Sequence, residues 1–183
     1  HKGGRDKITY NHFDSYPTGL GADVAEFIKN HTDEELNEIF DRIILVKSGD
    51  APSKEQIREC FEYYQCEVPM QLPDEWYSLR QDAQGDLEAR ARGLRYMIDN
   101  ADFLRDSLFC EWGYVINLDK GVLEVYRGFQ KAPSKNRYYN PFGKYGYYNC
   151  ALIREVPFAT IRETPTYMAT LEDEIEQEEG EEI

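Results

Sequence analysis

His12 and Asp14 stand two residues apart in the run Thr9-Tyr10-Asn11-His12-Phe13-Asp14-Ser15-Tyr16-Pro17-Thr18-Gly19-Leu20-Gly21. On an extended chain, residues i and i+2 share a face. The imidazole and the carboxylate would then lie roughly 6 to 7 Å apart, at a rise of about 3.3 Å per residue. A carboxylate at that reach orients an imidazole, directly or through one water, and raises its basicity. His12 as general base and Asp14 as its orienting partner are therefore the candidate catalytic residues. Ser15 falls on the opposite face, so a Ser-His-Asp relay needs a sharp bend at Ser15. Asn11 offers an oxyanion donor, and Asn11, Ser15 and Tyr16 are candidate ligand contacts. A structural account competes. Asp14 or Ser15 would cap the turn into the next helix, Tyr16-Pro17 would fix its entry angle, and His12 would be a hydrogen-bonded core histidine.

A second stretch carries chemistry of another kind. Between Glu124 and Glu155 there is no acid, and the segment holds Arg127, Lys131, Lys135, Arg137 and Lys144 among seven rings from Phe129 to Tyr148. Stacking rings beside cationic stems suit single-stranded nucleic acid, nucleotides or an acidic peptide. Arg137, Tyr138, Tyr139 and Lys144 are the candidate contacts. The same composition suits a long loop that packs its own rings on the body, or one that pairs with the chain's own acidic C-terminal run.

The elements that must position these groups follow from periodicity. Residues 7–13 alternate as a strand, with Ile8, Tyr10 and His12 on one face, and Pro17 ends it. Residues 23–30 read as a short helix with Val24, Phe27 and Ile28 inward. Thr32 with Glu35, and Ser53 with Gln56, are capping boxes that open two further helices. Residues 43–46 could close the first of these or form a buried strand. Residues 74–109 read as helical in two or three pieces. A hairpin follows, 112–118 and 122–126 around Asp119-Lys120-Gly121, and 151–158 reads as a strand. These elements predict an α+β fold: a mostly antiparallel sheet, including the 7–13 strand, packed against several helices.

The 183 residues suit a single α+β domain over 1–168 and an acidic C-terminal tail over 169–183. Hydrophobic residues make up 41% of the chain, enough for a core. Eight acids between Glu172 and Glu182 supply more than half of the net charge of −14. That run reads as a mobile, solubilising end or as a lure for a basic protein partner. An acidic body argues against duplex DNA as partner. No apolar run of about 18 residues marks a membrane span, and no signal-like segment opens the chain, which points to the cytoplasm. Cys60, Cys66, Cys110 and Cys150 lie at no zinc spacing with a nearby His, and read as reduced thiols. No metal and no cofactor is implied.

Residues 10–17 with Gly19-Leu20-Gly21, together with Tyr114-Val115-Ile116-Asn117-Leu118-Asp119 and Glu124-Val125-Tyr126-Arg127-Gly128-Phe129, resemble a family of uncharacterised microbial and viral proteins. The resemblance covers the first strand-turn-helix and the hairpin. It implies a short strand upstream of His1. It also leaves open an N-terminal-nucleophile amidase, in which a Cys, Ser or Thr is freed at the chain start; His1 is none of these. It brings no activity with it.

The leading expectation for function is a soluble, acidic interaction protein acting through its surface and the aromatic loop. Two alternatives stand beside it: a hydrolase of amides or phosphate esters using His12 and Asp14, and a nucleotide or single-strand binder using the 127–148 loop.

Overall fold

The computed structural model describes residues 1–64, 71–80, 85–164 and 166–181. Among these, seven α-helices surround a three-stranded antiparallel sheet and a small parallel strand pair, so the fold is α+β. The helices are α1 (Ala22–Asn30), α2 (Asp33–Arg42), α3 (Lys54–Phe61), α4 (Trp76–Arg80), α5 (Leu87–Arg92), α6 (Phe158–Glu163) and α7 (Tyr167–Glu181). The strands are β1 (Ile44–Val46), β2 (Tyr96–Ile98), β3 (Trp112–Asn117), β4 (Val122–Arg127) and β5 (Ala151–Pro157). None of the described helices is long and apolar enough to cross a membrane.

The sheet order is β3-β4-β5, with the hairpin register Trp112↔Arg127 to Asn117↔Val122. Alternation along the strands builds two cores. Leu123 and Val125 face α1, α2, α6 and α7, in one cluster with Phe27, Leu36, Ile161 and Leu171. Val115 and Tyr126 face the opposite way, with Leu104, Tyr138 and Cys150, beneath the segment 128–150. A third cluster joins α3, α4, α5 and β2 through Ile57, Trp76, Ala89 and Tyr96. Both capping boxes are present, at Thr32/Glu35 and Ser53/Gln56.

Three sequence expectations change. Residues 7–13 form no strand; they run as a strap whose polar groups bond to the Asn100 side chain and to the end of α2 rather than to a ladder. Residues 96–98, expected in a helix, form β2 and pair in parallel with β1. Gly93, at φ 130°, stops α5 before them, and so short an apolar run fits strand or helix equally by periodicity. Third, most of the acidic run lies on α7. Met168, Leu171 and Ile175, at helical spacing, are buried. Its acids reach the sheet, Glu178 to Arg154 at 2.7 Å and Glu179 to Arg127 at 3.4 Å. The segment expected to be mobile is thus packed. Cys60, Cys110 and Cys150 are free thiols, and burial pushes Cys60 up to about 11; Cys66 lies outside the described residues.

Under the sheet, Glu124 is 1% exposed and accepts from Arg137 at 2.6 and 3.1 Å, Asn117 at 2.8 Å and Tyr126 at 2.8 Å. Burial alone would raise its pKa, but these bonds outweigh burial and hold it below the usual carboxylate range. Arg137→Ala would leave this carboxylate buried without its cation, and should cost about 3 kcal/mol in urea unfolding at pH 7. Because the folded pKa is depressed, the contribution is complete above an unfolded value of about 4.5 and is lost as pH falls through the folded value. Stability of the wild type should therefore fall more steeply below that pH than stability of Glu124→Gln; equal slopes would contradict this role.

Candidate functional site

Asn100 holds the strap. Its Oδ1 accepts from the Tyr10 amide at 3.1 Å and from Thr9 Oγ1 at 3.3 Å, and its amide donates to Ile8 O at 2.9 Å. Lys7 Nζ donates to the terminal carbonyls of Phe40 and Ile43, at 2.6 and 2.8 Å, where α2 ends with its carbonyls exposed. Burial, then the charge of Arg5, lowers the Lys7 pKa. The Tyr10 ring packs on Phe103, with centroids 4.8 Å apart, and His12 meets Tyr10 edge-on at 4.8 Å and Tyr77 at 5.9 Å.

Beyond His12 the strap turns through side-chain bonds of Asn11 and Ser15 and then through main-chain bonds. Asn11 Nδ2 donates to Phe13 O at 3.0 Å and to Ser15 Oγ at 3.4 Å, and Ser15 Oγ donates to Phe13 O at 3.1 Å. Asp14 O accepts from Leu20, and Tyr16 O from Gly19 and Gly21. The result is a wide turn over Pro17–Gly21 that feeds directly into α1. No side chain caps this turn from within, but Glu172 of α7 accepts from the Thr18 amide at 2.9 Å. Gly21 is closely packed: a Cβ there would lie 2.8 Å from Met168 Cε and 3.0 Å from the Tyr114 ring, so both side chains would have to shift. Tyr114 in turn donates to Ser15 O at 2.8 Å. Burial foremost, with the Glu172 carboxylate adding to it, pushes its phenol far above the ordinary range.

The expected relay is not assembled. His12 and Asp14 are both exposed, and among the described residues neither hydrogen-bonds to the other or to Ser15. No group of three His, Cys, Asp or Glu among the described residues could hold a metal ion. What the strap does instead is wall a cleft of about 720 Å³. Asn11, His12, Asp14, Ser15 and Tyr16 all line it. Its floor is apolar, from Val24, Phe27, Leu36 and Ile39 of the first two helices, with Met97 and Leu104. Volume and lining fall in the range of ligand sites.

The opposite wall is β3, every residue of which from Trp112 to Ile116 lines the cleft. In an antiparallel pair, alternate residues turn their N–H and C=O to the same side. Ile116 O accepts from the His1 amino group, and the Leu118 amide donates to His1 O, both at 2.9 Å and both away from β4. Trp112, Tyr114 and Ile116 therefore present their outward main-chain groups to the cleft. Among the described residues, the amides of Trp112, Tyr114 and Ile116 and the carbonyl of Tyr114 find no main-chain partner on that side. Trp112 Nε1, in the same wall, also has no partner among the described residues.

The aromatic segment lies apart. Arg137, Tyr138, Tyr139 and Lys144 do not line the cleft. Tyr138 is 1% exposed and meets Tyr126 edge-on, so it offers no stacking face. Arg137 is engaged by Glu124. Tyr139 and Lys144 remain exposed, with Phe142 and Tyr145 at the tip of the loop. Buried Asn149 ties this loop together: its Oδ1 accepts from Ser134 and Asn140, and its Nδ2 donates to Ser134 O. Sequence reasoning missed Asn100, Trp112, Tyr114 and Arg90, all of which line the cleft. The only available signal was the even spacing of Trp112, Tyr114 and Ile116, which also reads as ordinary strand alternation.

Asn100→Ala removes the acceptor shared by Thr9 and Tyr10. It should lower stability by about 1–2 kcal/mol and raise amide exchange across residues 8–12 at least as much as in the sheet. Unchanged exchange in the strap would show that Asn100 does not hold it. Comparison of the chain with family models, with curated proteins and with solved structures finds no match.

Proposed function

We propose that this is a protein-binding domain whose cleft receives an extended segment of a partner as an added strand along β3. The carrying observation is the pairing of an apolar cleft of about 720 Å³ with the outward amides of Trp112, Tyr114 and Ile116 and the carbonyl of Tyr114 in one wall, which have no main-chain partner among the described residues. In strand addition, main-chain bonds supply affinity and pockets for alternate side chains supply selectivity. The outward groups of Trp112, Tyr114 and Ile116 provide the first, and the apolar floor beneath the strap provides the second. The strongly acidic chain favours a segment with basic flanks, through steering at the rim. His12 and Asp14, exposed at the rim, contact the segment in this reading and do not act as a base and its orienter.

Panning a random-peptide library against the full chain should recover apolar, basic-flanked peptides. Bound peptide should slow amide exchange at Trp112, Tyr114 and Ile116. Ile116→Pro deletes one outward amide at an edge position where proline is tolerated, and it should weaken such peptides about tenfold. Peptides that protect the 128–148 loop and leave β3 unprotected would refute the reading.

A further inference from the structure

Arg90 is 2% exposed and lines the same cleft from α5. Its Nη1 donates to Tyr96 O at 3.1 Å, while Nε and Nη2 have no hydrogen-bond partner among the described residues. Those two nitrogens form one edge of the guanidinium, the edge that grips a carboxylate through two parallel bonds. The molecule shows that grip elsewhere: Arg95 Nε and Nη2 donate to Glu59 Oε1 and Oε2 at 2.7 and 2.9 Å. Arg90 presents the same edge with no carboxylate against it. The nearby Asp86 caps α5 instead, accepting from the Ala89 amide at 2.9 Å. Burial, then the charge of Arg80, lowers the Arg90 pKa to about 9, so the group is still cationic at neutral pH. A buried charge without a counter-charge is strongly unfavourable, and an oxyanion in the cleft would relieve it.

We propose that the Nε–Nη2 edge of Arg90 is a carboxylate-binding subsite of the cleft, for a ligand that joins an apolar body to a single carboxylate. A planar edge with two donors matches a planar group with two acceptors. A phosphate would bring a second charge and a third oxygen, for which this two-donor edge has no matching donor. The subsite goes beyond strand addition and does not depend on it: a free organic acid and an acidic group on a bound segment meet Arg90 through the same atoms.

The probes are sodium phenylacetate and its neutral isostere phenylacetamide, titrated calorimetrically into the full chain, with amide exchange at Tyr114 and Ile116 followed in parallel. The acid should bind about tenfold or more tighter than the amide. A free acid should leave those β3 amides exchanging freely, whereas a peptide seated by its carboxylate should also protect them. This separates failure of the subsite from failure of strand addition. Arg90→Met should abolish the preference for the acid, keep the affinity for the amide, and melt no lower than wild type without ligand, because it removes an uncompensated buried charge. Arg90→Lys keeps the charge and loses the fork, and should also lose the preference. Equal binding of acid and amide, binding of neither, a preference that survives both substitutions, or tighter binding of phenyl phosphate than of phenylacetate would each overturn the proposal.

Discussion

Main-chain N–H and C=O groups must find partners, and at the edge of a sheet one row of them has none within the sheet. In this protein the order β3-β4-β5 leaves two such rows, and it is the one on β3 that borders the cleft. The other side of β3 is taken by β4, so the outward groups of Trp112, Tyr114 and Ile116 meet whatever stands beside the sheet. At one end His1 satisfies Ile116 O and the Leu118 amide. Along the rest stands the strap, held off the edge by Asn100, by Lys7 on the end of α2 and by Tyr114 on Ser15. Because those anchors are side chains, and no main-chain bond joins the strap to β3 among the described residues, a cleft separates it from the main chain of the strand.

The charges follow a related logic. Most buried or half-buried cations here have a named counter-charge: Arg137 has Glu124, Arg127 has Glu111 and Glu179, Arg154 has Glu178, and Arg162 has Asp33. The acids of α7 thereby hold the helix to the sheet as well as setting the net charge. Lys7 and Arg42 bond to main-chain carbonyls instead, and Arg90 is a buried guanidinium whose Nε and Nη2 have no partner among the described residues, in the lining of the cleft. The tight turn from β4 into the aromatic segment is equally constrained. Gly128 donates to Glu111 O at 2.7 Å, and a Cβ there would overlap Cys110 O. That segment is therefore pressed onto the sheet, which is why Tyr138 is core and Arg137 is an internal ion pair.

Much of the fold was legible in the sequence because local signals and tertiary packing agree there. The Thr32 and Ser53 caps, the helix carrying Val24, Phe27 and Ile28, and the Asp119-Lys120-Gly121 hairpin each depend on residues a few positions apart. The errors fall where distant partners decide. Residues 7–13 have the alternation of a strand, but Asn100, some ninety positions away, supplies their bonds. Tyr96 to Ile98 look helical until Ile44–Val46 is available to pair with them. The spacing of His12 and Asp14 placed both at one cleft, yet a turn closed by Asn11, Phe13 and Ser15 replaced the extended geometry that would have joined them. The exposed edge of β3 and the unpaired edge of Arg90 have no local signature, since each is defined by a partner it lacks.

Native-state hydrogen exchange along β3 in the free protein tests the central claim most directly. If the outward edge is unbonded, the amides of Tyr114 and Ile116 exchange much faster than those of Gly113, Val115 and Asn117, which face β4. Uniform protection of all five would mean that the edge is already satisfied within the folded chain, and the cleft would lose its role as a site for an added strand.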